Sequence, residues 1–245
     1  MSIAATDLLA YNALNQPTDD ATTGGGGRDT KSRPGFTQMS TTVATEYVST
    51  SASDTGNSTA NGRSSTGATV GETLTLTGTT IKTGTQVFER ILDVRMAADA
   101  IGTVTFRKIT SGATIYIIPI GERGASALFK RSASSSGIVI RYDKIFWRNN
   151  HATLTLNAAK VRITADPDAR IRQGIHTSKG DSATIANRIT APGGITFVDD
   201  NIDQDVTGTT LEAVTDIGVW YEENLPALDA AHRTTFTSQL SGTTV

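Results

Sequence analysis

"TVGETLTLTGTTIKTGTQVFERILDVRM", Thr69–Met96, alternates threonine with apolar residues, pauses at Gly78-Thr79-Thr80, alternates again and closes on a denser apolar run. Period two marks a strand with one dry and one wet face. Leu74 and Leu76 share the dry face, and the threonines take the other. Outward from this stretch the grammar repeats. Upstream come Val43, Tyr47 and Val48. Downstream come Val104 and Phe106, then Ile115 and Ile117 before Pro119. Farther on, Ile138, Ile140 and Tyr142 alternate, Leu154 and Leu156 follow, and Val161 and Ile163 resume with shifted parity. Short strands broken by Gly, Ser and Asn predict an all-β chain of two immunoglobulin-like or related antiparallel β-sandwich domains.

The 245 residues allow two cores of ordinary size. The reading places an extended N-terminal arm at 1–41, a first sandwich at 42–133 and a second at 134–245. The arm holds one short helical candidate (Thr6–Leu14), then Pro17, four glycines at Gly24–Gly27 and Pro34. The glycines loosen the backbone, so the run reads as a flexible hinge. Ser51–Gly67, almost devoid of apolar residues, reads as a solvated hairpin or loop. The closing stretch reads as strand, loop through Pro226 and last strand, with a short helix also allowed at Asp229–Ala231.

Composition narrows the function classes. A net charge of -2 offers no basic face for nucleic acid. Without cysteine there is no disulfide framework and no thiolate metal site. The N-terminus lacks the basic start and apolar run of a signal peptide, and no later run approaches a membrane span. Synthesis in a cytosol, with no membrane partner, is the expectation.

Chemistry-bearing motifs are sparse. Asp199, Asn201, Asp203 and Asp205 alternate as oxygen ligands would around calcium, but the central glycine and terminal glutamate of an EF-hand loop are missing. A solvated acidic loop is the plainer account, so no metal and no cofactor are expected. His151, His176 and His232 are scattered, and no serine lies in a Gly-x-Ser-x-Gly elbow. The glycine run is followed by Arg28 and Asp29, not by the Gly-Lys-Ser/Thr of a phosphate loop. The adjacent pairs Phe146-Trp147 and Trp220-Tyr221 each turn one ring inward and one outward in a strand. The expected interface set is Ile3, Leu8, Leu9, Tyr11 and Phe36 of the arm, with Trp147 and Trp220. Deleting the arm is then expected to weaken association while both sandwiches stay folded.

Val214–Thr244, "VTDIGVWYEENLPALDAAHRTTFTSQLSGTT", resembles the end of bacterial immunoglobulin-like modules. More broadly, "RPGFTQMSTTVATEYVSTSASDTG", "GETLTLTGTT", "FERILDVRMAADAIGTVTFRK", "DKIFWRNNHATLTLNAAKVRITADP" and "ANRITAPGGITFVDDN", in that order, resemble a class of tailed-phage virion proteins from about Arg33 onward. That resemblance implies a non-enzymatic virion component made in a bacterial host's cytoplasm. Its partners would be the major capsid protein and copies of itself, as a homo-oligomer. A capsid decoration protein is the leading form. A tail or head-tail connector component and a glycan-binding adhesin module are the alternatives.

Overall fold

The computed structural model describes residues 2–130, 137–228 and 235–244. Beyond two single-turn 3-10 segments, the regular structure among them is all strand. In chain order these are β1 (Leu8–Asn15), β2 (Gly24–Arg28), β3 (Ser32–Pro34), β4 (Val43–Ser49), β5 (Asn57–Arg63), β6 (Thr69–Thr75) and β7 (Lys82–Phe88). Then come β8 (Arg90–Met96), β9 (Val104–Lys108), β10 (Thr114–Ile118), β11 (Gly124–Ser126), β12 (Val139–Asn149) and β13 (Leu156–Ala165). The last are β14 (Ile171–Lys179), β15 (Thr184–Ile185), β16 (Gln204–Asp205), β17 (Thr210–Leu211), β18 (Asp216–Leu225) and β19 (Thr237–Thr243). Among the described residues no helix is long and apolar enough to cross a membrane.

The chain divides into two units. The first joins Met1–Asp29 to Phe129–Val245, and the second is the continuous stretch Thr30–Leu128. Position 133, where the sequence places its boundary, lies outside the described residues, as do Asp229–Ala231 and His232.

The second unit carries a four-stranded sheet, β10-β9-β4-β7, and a five-stranded sheet, β3-β11-β8-β5-β6. Pairing is antiparallel except between β3 and β11. One core takes Tyr47, Phe88 and Phe106 from the smaller sheet and Ile91, Val94 and Met96 from the larger. Tyr47 stacks on Phe106 with centroids 4.7 Å apart. Thr69–Met96 therefore supplies three strands, with β7 in one sheet and β6 and β8 in the other.

Ser51–Gly67 is not simply a loop. Its residues Asn57–Arg63 are β5, between β8 and β6. Ser58, Ala60 and Gly62 point inward and are buried, while Asn57 and Asn61 face out. The alternation is present, but it is written in residues too small to register as apolar. At Gly62 a Cβ would lie 2.1 Å from Arg90 O, so only glycine tolerates this approach to β8. In β10 the buried isoleucines are Ile115 and Ile118, and Ile117 is 50% exposed. A register shift between Thr114 and Tyr116 resets the parity.

The first unit carries a six-stranded sheet, β14-β18-β12-β1-β2-β15, and a four-stranded sheet in which β13 pairs with β16, β17 and β19. All these pairings are antiparallel. The Tyr221 ring lies 4.9 Å from that of Phe236, and Gln173 Nε2 donates to Val161 O at 2.8 Å, so the two sheets share an interior. The parity shift at Val161 is a bulge: Ala158 takes φ 46°, and the β13–β19 register slips between Asn157 and Lys160.

The expected arm is the largest correction. Residues 8–15 form neither helix nor tail. They are β1, paired with β12 from Leu8↔Asn149 to Asn12↔Ile145 and with β2 on the other side. Tertiary pairing overrides a local pattern that also fits a helix. The glycine run is no hinge either, because Gly24–Arg28 is β2. Gly25 has φ 82°, and a Cβ there would meet Trp220 Cη2 at 2.5 Å and Ala183 O at 2.7 Å. Glycine is needed both for the backbone conformation and for the indole packed against it.

Candidate functional site

Among the described residues, the first unit's six-stranded sheet holds a close set of buried charges. Its central strand β12 runs Val-Ile-Arg-Tyr-Asp-Lys-Ile-Phe-Trp-Arg-Asn, and Arg141, Asp143 and Lys144 are all buried. A strand covered on both faces can hold charges only where each finds a partner. Lys144 is 0% exposed, and its ammonium donates to the Asp181 carboxylate, to Gly26 O at 3.1 Å and to Ala183 O at 3.3 Å. It also lies 4.6 Å from the Phe146 centroid and 5.4 Å from that of Trp220. Burial pulls the Lys144 amine below the ordinary lysine range, and Asp181 opposes that shift.

Farther along β12, Asp143 pairs with the fully buried Arg188 at 2.8 and 3.1 Å and accepts Phe129 N–H. Arg141 forks onto Asp20 at 2.7 and 3.1 Å, with Glu223 Oε2 3.7 Å from its Nη1. At the other end Asp216 receives Arg28 at 2.7 Å and Arg148 at 3.2 Å, and Arg28 lies 5.0 Å above the Tyr11 ring. Three of these contacts, at Asp20, Gly26 and Arg28, fasten residues 1–29 to the rest of the unit.

Glu223 is pushed up to about 7 by burial, with Arg188 and Arg141 opposing and Asp143 reinforcing the shift. An acid with a raised folded-state pKa is stabilising while protonated, so its contribution is present near pH 4.5 and lost as pH rises through about 7. The full shift corresponds to about 3 kcal/mol. Glu223→Gln is therefore expected to be more stable than wild type at pH 8 and to lose that advantage at pH 5. Urea midpoints of both proteins at the two pH values test this, and an equal difference at both would contradict it.

A shallow cavity of about 280 Å³ lies on the same unit, lined by Ile175, His176, Thr196, Gln204, Asp205 and Thr207 among others. His176 Nδ1 accepts the Ser178 N–H at 3.1 Å, and Gln204 Nε2 donates to Thr196 O at 3.0 Å. Its lining carries hydroxyl, amide, imidazole and carboxylate groups, several of them bonded within the fold.

The expected interface residues do not form one outward surface. Ile3, Leu8, Leu9 and Trp147 are half-buried, Tyr11 is buried, and Trp220 is 0% exposed beneath the glycine strand. Phe36 belongs to the second unit, where it packs on the core with its ring 5.8 Å from Tyr116. Trp220 thus reverses the expectation for its pair, since Tyr221 beside it is also buried: β18 is covered on both faces. Other large apolar side chains are exposed, several of them on the second unit. Ile101, Ile117 and Ile120 are 58%, 50% and 66% exposed, and a hydrogen bond from Gly121 N to Ala100 O brings the first beside the turn after β10.

The acidic loop faces cations of the chain itself. Asp199 lies 3.1 Å from Arg172, Asp203 lies 3.5 Å from Lys160 and 3.7 Å from Arg162, and Asp205 lies 3.9 Å from Lys160. Asn201 takes φ 60° and donates to Asp200 at 2.7 Å. Among the described residues no group of three or more His, Asp or Glu side chains is arranged to hold a metal ion. His151 Nδ1 accepts N–H from Thr153 and Leu154 at 3.1 and 3.0 Å, bracing the turn before β13.

Lys144, Asp181, Asp143 and Arg188 escape a reading for known motifs. The signal for the β12 members was the Arg-Tyr-Asp-Lys run inside an otherwise apolar strand. Asp181 and Arg188 lie in polar segments that carry no such contrast. No protein-family model, characterised protein or solved structure matches this chain.

Proposed function

We propose that this chain is a non-enzymatic structural protein of a tailed-bacteriophage particle, built on two immunoglobulin-like sandwiches and acting as a capsid decoration protein. It binds the assembled shell through the major capsid protein and through copies of itself. One observation carries the reading: the most buried ionisable groups, Lys144, Asp143 and Arg188, are committed to contacts within the fold, while Ile101, Ile117 and Ile120 stand in solvent. Buried charge used this way supports a rigid module, and exposed isoleucines support a surface that is covered on assembly. The particle setting itself rests on the sequence resemblance.

The copy number of this chain relative to the major shell subunit in purified particles tests the proposal. A ratio matching the shell lattice is expected for decoration. A much lower ratio moves the protein to the tail or connector, and absence from particles removes it from the virion. Replacing Ile101, Ile117 and Ile120 together by serine is expected to weaken particle association at least tenfold, about 1.4 kcal/mol. Each exposed site should change folding stability by no more than about 0.5 kcal/mol. Undiminished particle binding by the triple variant would move the contact surface elsewhere.

The polar cavity beside Asp205 favours glycan binding as the second reading. A shift on a sugar array that is lost in His176→Ala would support it.

A further inference from the structure

The contact between Lys144 and Asp181 has the components of a covalent cross-link. Its amine and carboxylate touch in an interior shared with the rings of Phe146 and Trp220. Their side chains are 0% and 4% exposed. Gly218, opposite Phe146 on β18, makes room for both, since a Cβ there would lie 2.3 Å from Asp181 Oδ2 and 2.7 Å from Lys144 Cε. The two carboxylate oxygens are not equivalent. Oδ1 accepts the Ala183 N–H at 2.9 Å, whereas Oδ2 is buried with no hydrogen-bond partner. The His176 ring is close by, with Nδ1 3.7 Å from Oδ2.

We propose that Lys144 and Asp181 condense to an intramolecular isopeptide bond. Lys144 Nζ attacks Asp181 Cγ and the bond from Cγ to Oδ2 breaks. Oδ2 leaves as water with two of the three ammonium protons, and the third stays on the amide nitrogen. The Ala183 N–H stabilises charge on Oδ1 as the tetrahedral centre forms and then bonds the new amide carbonyl.

Two physical effects favour the reaction. Fixing nucleophile and carbonyl in contact supplies effective molarities of about 10⁵ M or more. Burial penalises the ion pair and favours the neutral amine as well as the neutral product. The desolvation that lowers the Lys144 pKa acts in the same direction. The link would tie the centre of β12 to the segment that leads into β15, across 37 residues of chain. It does not depend on the particle reading.

The test is the mass of the intact, denatured wild-type chain, with Lys144→Arg as reference, followed by tryptic mapping. Wild type is expected to be lighter than its sequence mass by one water, ~18 Da, and the reference to show its full sequence mass. Trypsin should fail to cut after Lys144 and should release one branched peptide joining residues 142–148 to 180–188. Full sequence mass with Lys144 cleaved normally would overturn the proposal. A loss of ~18 Da with Lys144 still cleaved would also overturn it, because a succinimide at Asp181 has the same mass without the link. The decisive measurements are on wild type, so a poorly folding reference does not blunt them.

Discussion

Removing residues 2–28 is expected to unfold the first unit and leave the second folded, so that wild type shows two cooperative unfolding transitions and the truncated chain one. The deletion takes away β1 and β2, which leaves β12 without its neighbour on one side. It also removes the Asp20 fork from Arg141, the Gly26 carbonyl from Lys144 and the Arg28 partner from Asp216. Lys144 and Asp216 keep Asp181 and Arg148, so the heaviest charge cost falls at Arg141, which keeps Glu223 at 3.7 Å. Breaking a buried pair costs about 3–5 kcal/mol. Added to the lost pairing and burial of β1 and β2, that cost is large against the roughly 5–15 kcal/mol of a whole domain. The second unit, continuous from Thr30 to Leu128, loses nothing from its core and should fold as an isolated fragment. Calorimetry on wild type, the truncation and the fragment measures this. Two retained transitions in the truncation would restore the N-terminal segment to the status of an accessory arm.

The second large effect is at Trp220, the largest fully buried side chain. Trp220→Ala should destabilise the first unit by about 3–5 kcal/mol, through lost burial and the cavity left over β2. Gly25→Ala should also destabilise it, because its Cβ would collide with the indole and the φ of 82° disfavours any side chain. The double variant separates these two causes. Once the indole is gone, the collision with Ala183 O and the strained φ remain, so Gly25→Ala should cost less in the Trp220→Ala background than in wild type. Strict additivity of the two denaturation midpoints would show that the ring and the glycine strand do not pack on each other.

Much of the strand content was legible because large apolar residues alternate there. Leu74 and Leu76 mark β6 and the segment just beyond it, Val104 and Phe106 mark β9, and Val161 and Ile163 mark β13 together with its bulge. β5 and β2 were invisible because their inward positions are Ser58, Ala60 and Gly62 in one and glycines in the other. A hydrophobic pattern cannot register a strand whose buried face consists of small residues. The site was less legible still. Arg141, Asp143 and Lys144 break the apolar pattern of β12, but their partners Asp20, Arg188 and Asp181 sit in segments with no distinguishing pattern.

The sequence by itself determined that the chain is all-β, where most strands lie and where their parity breaks, because those properties depend on a residue and its near neighbours. Only the tertiary structure decided that the first 29 residues complete a sheet rather than trail from it. Gln16 Nε2 reaches Lys144 O, 128 residues downstream, at 2.6 Å, and no local signal encodes that meeting. Which strand lies beside which, and which buried charge answers which, follows from burying the whole chain at once. Backbone pairing and charge neutralisation are satisfied across long sequence separations, where pattern carries no information.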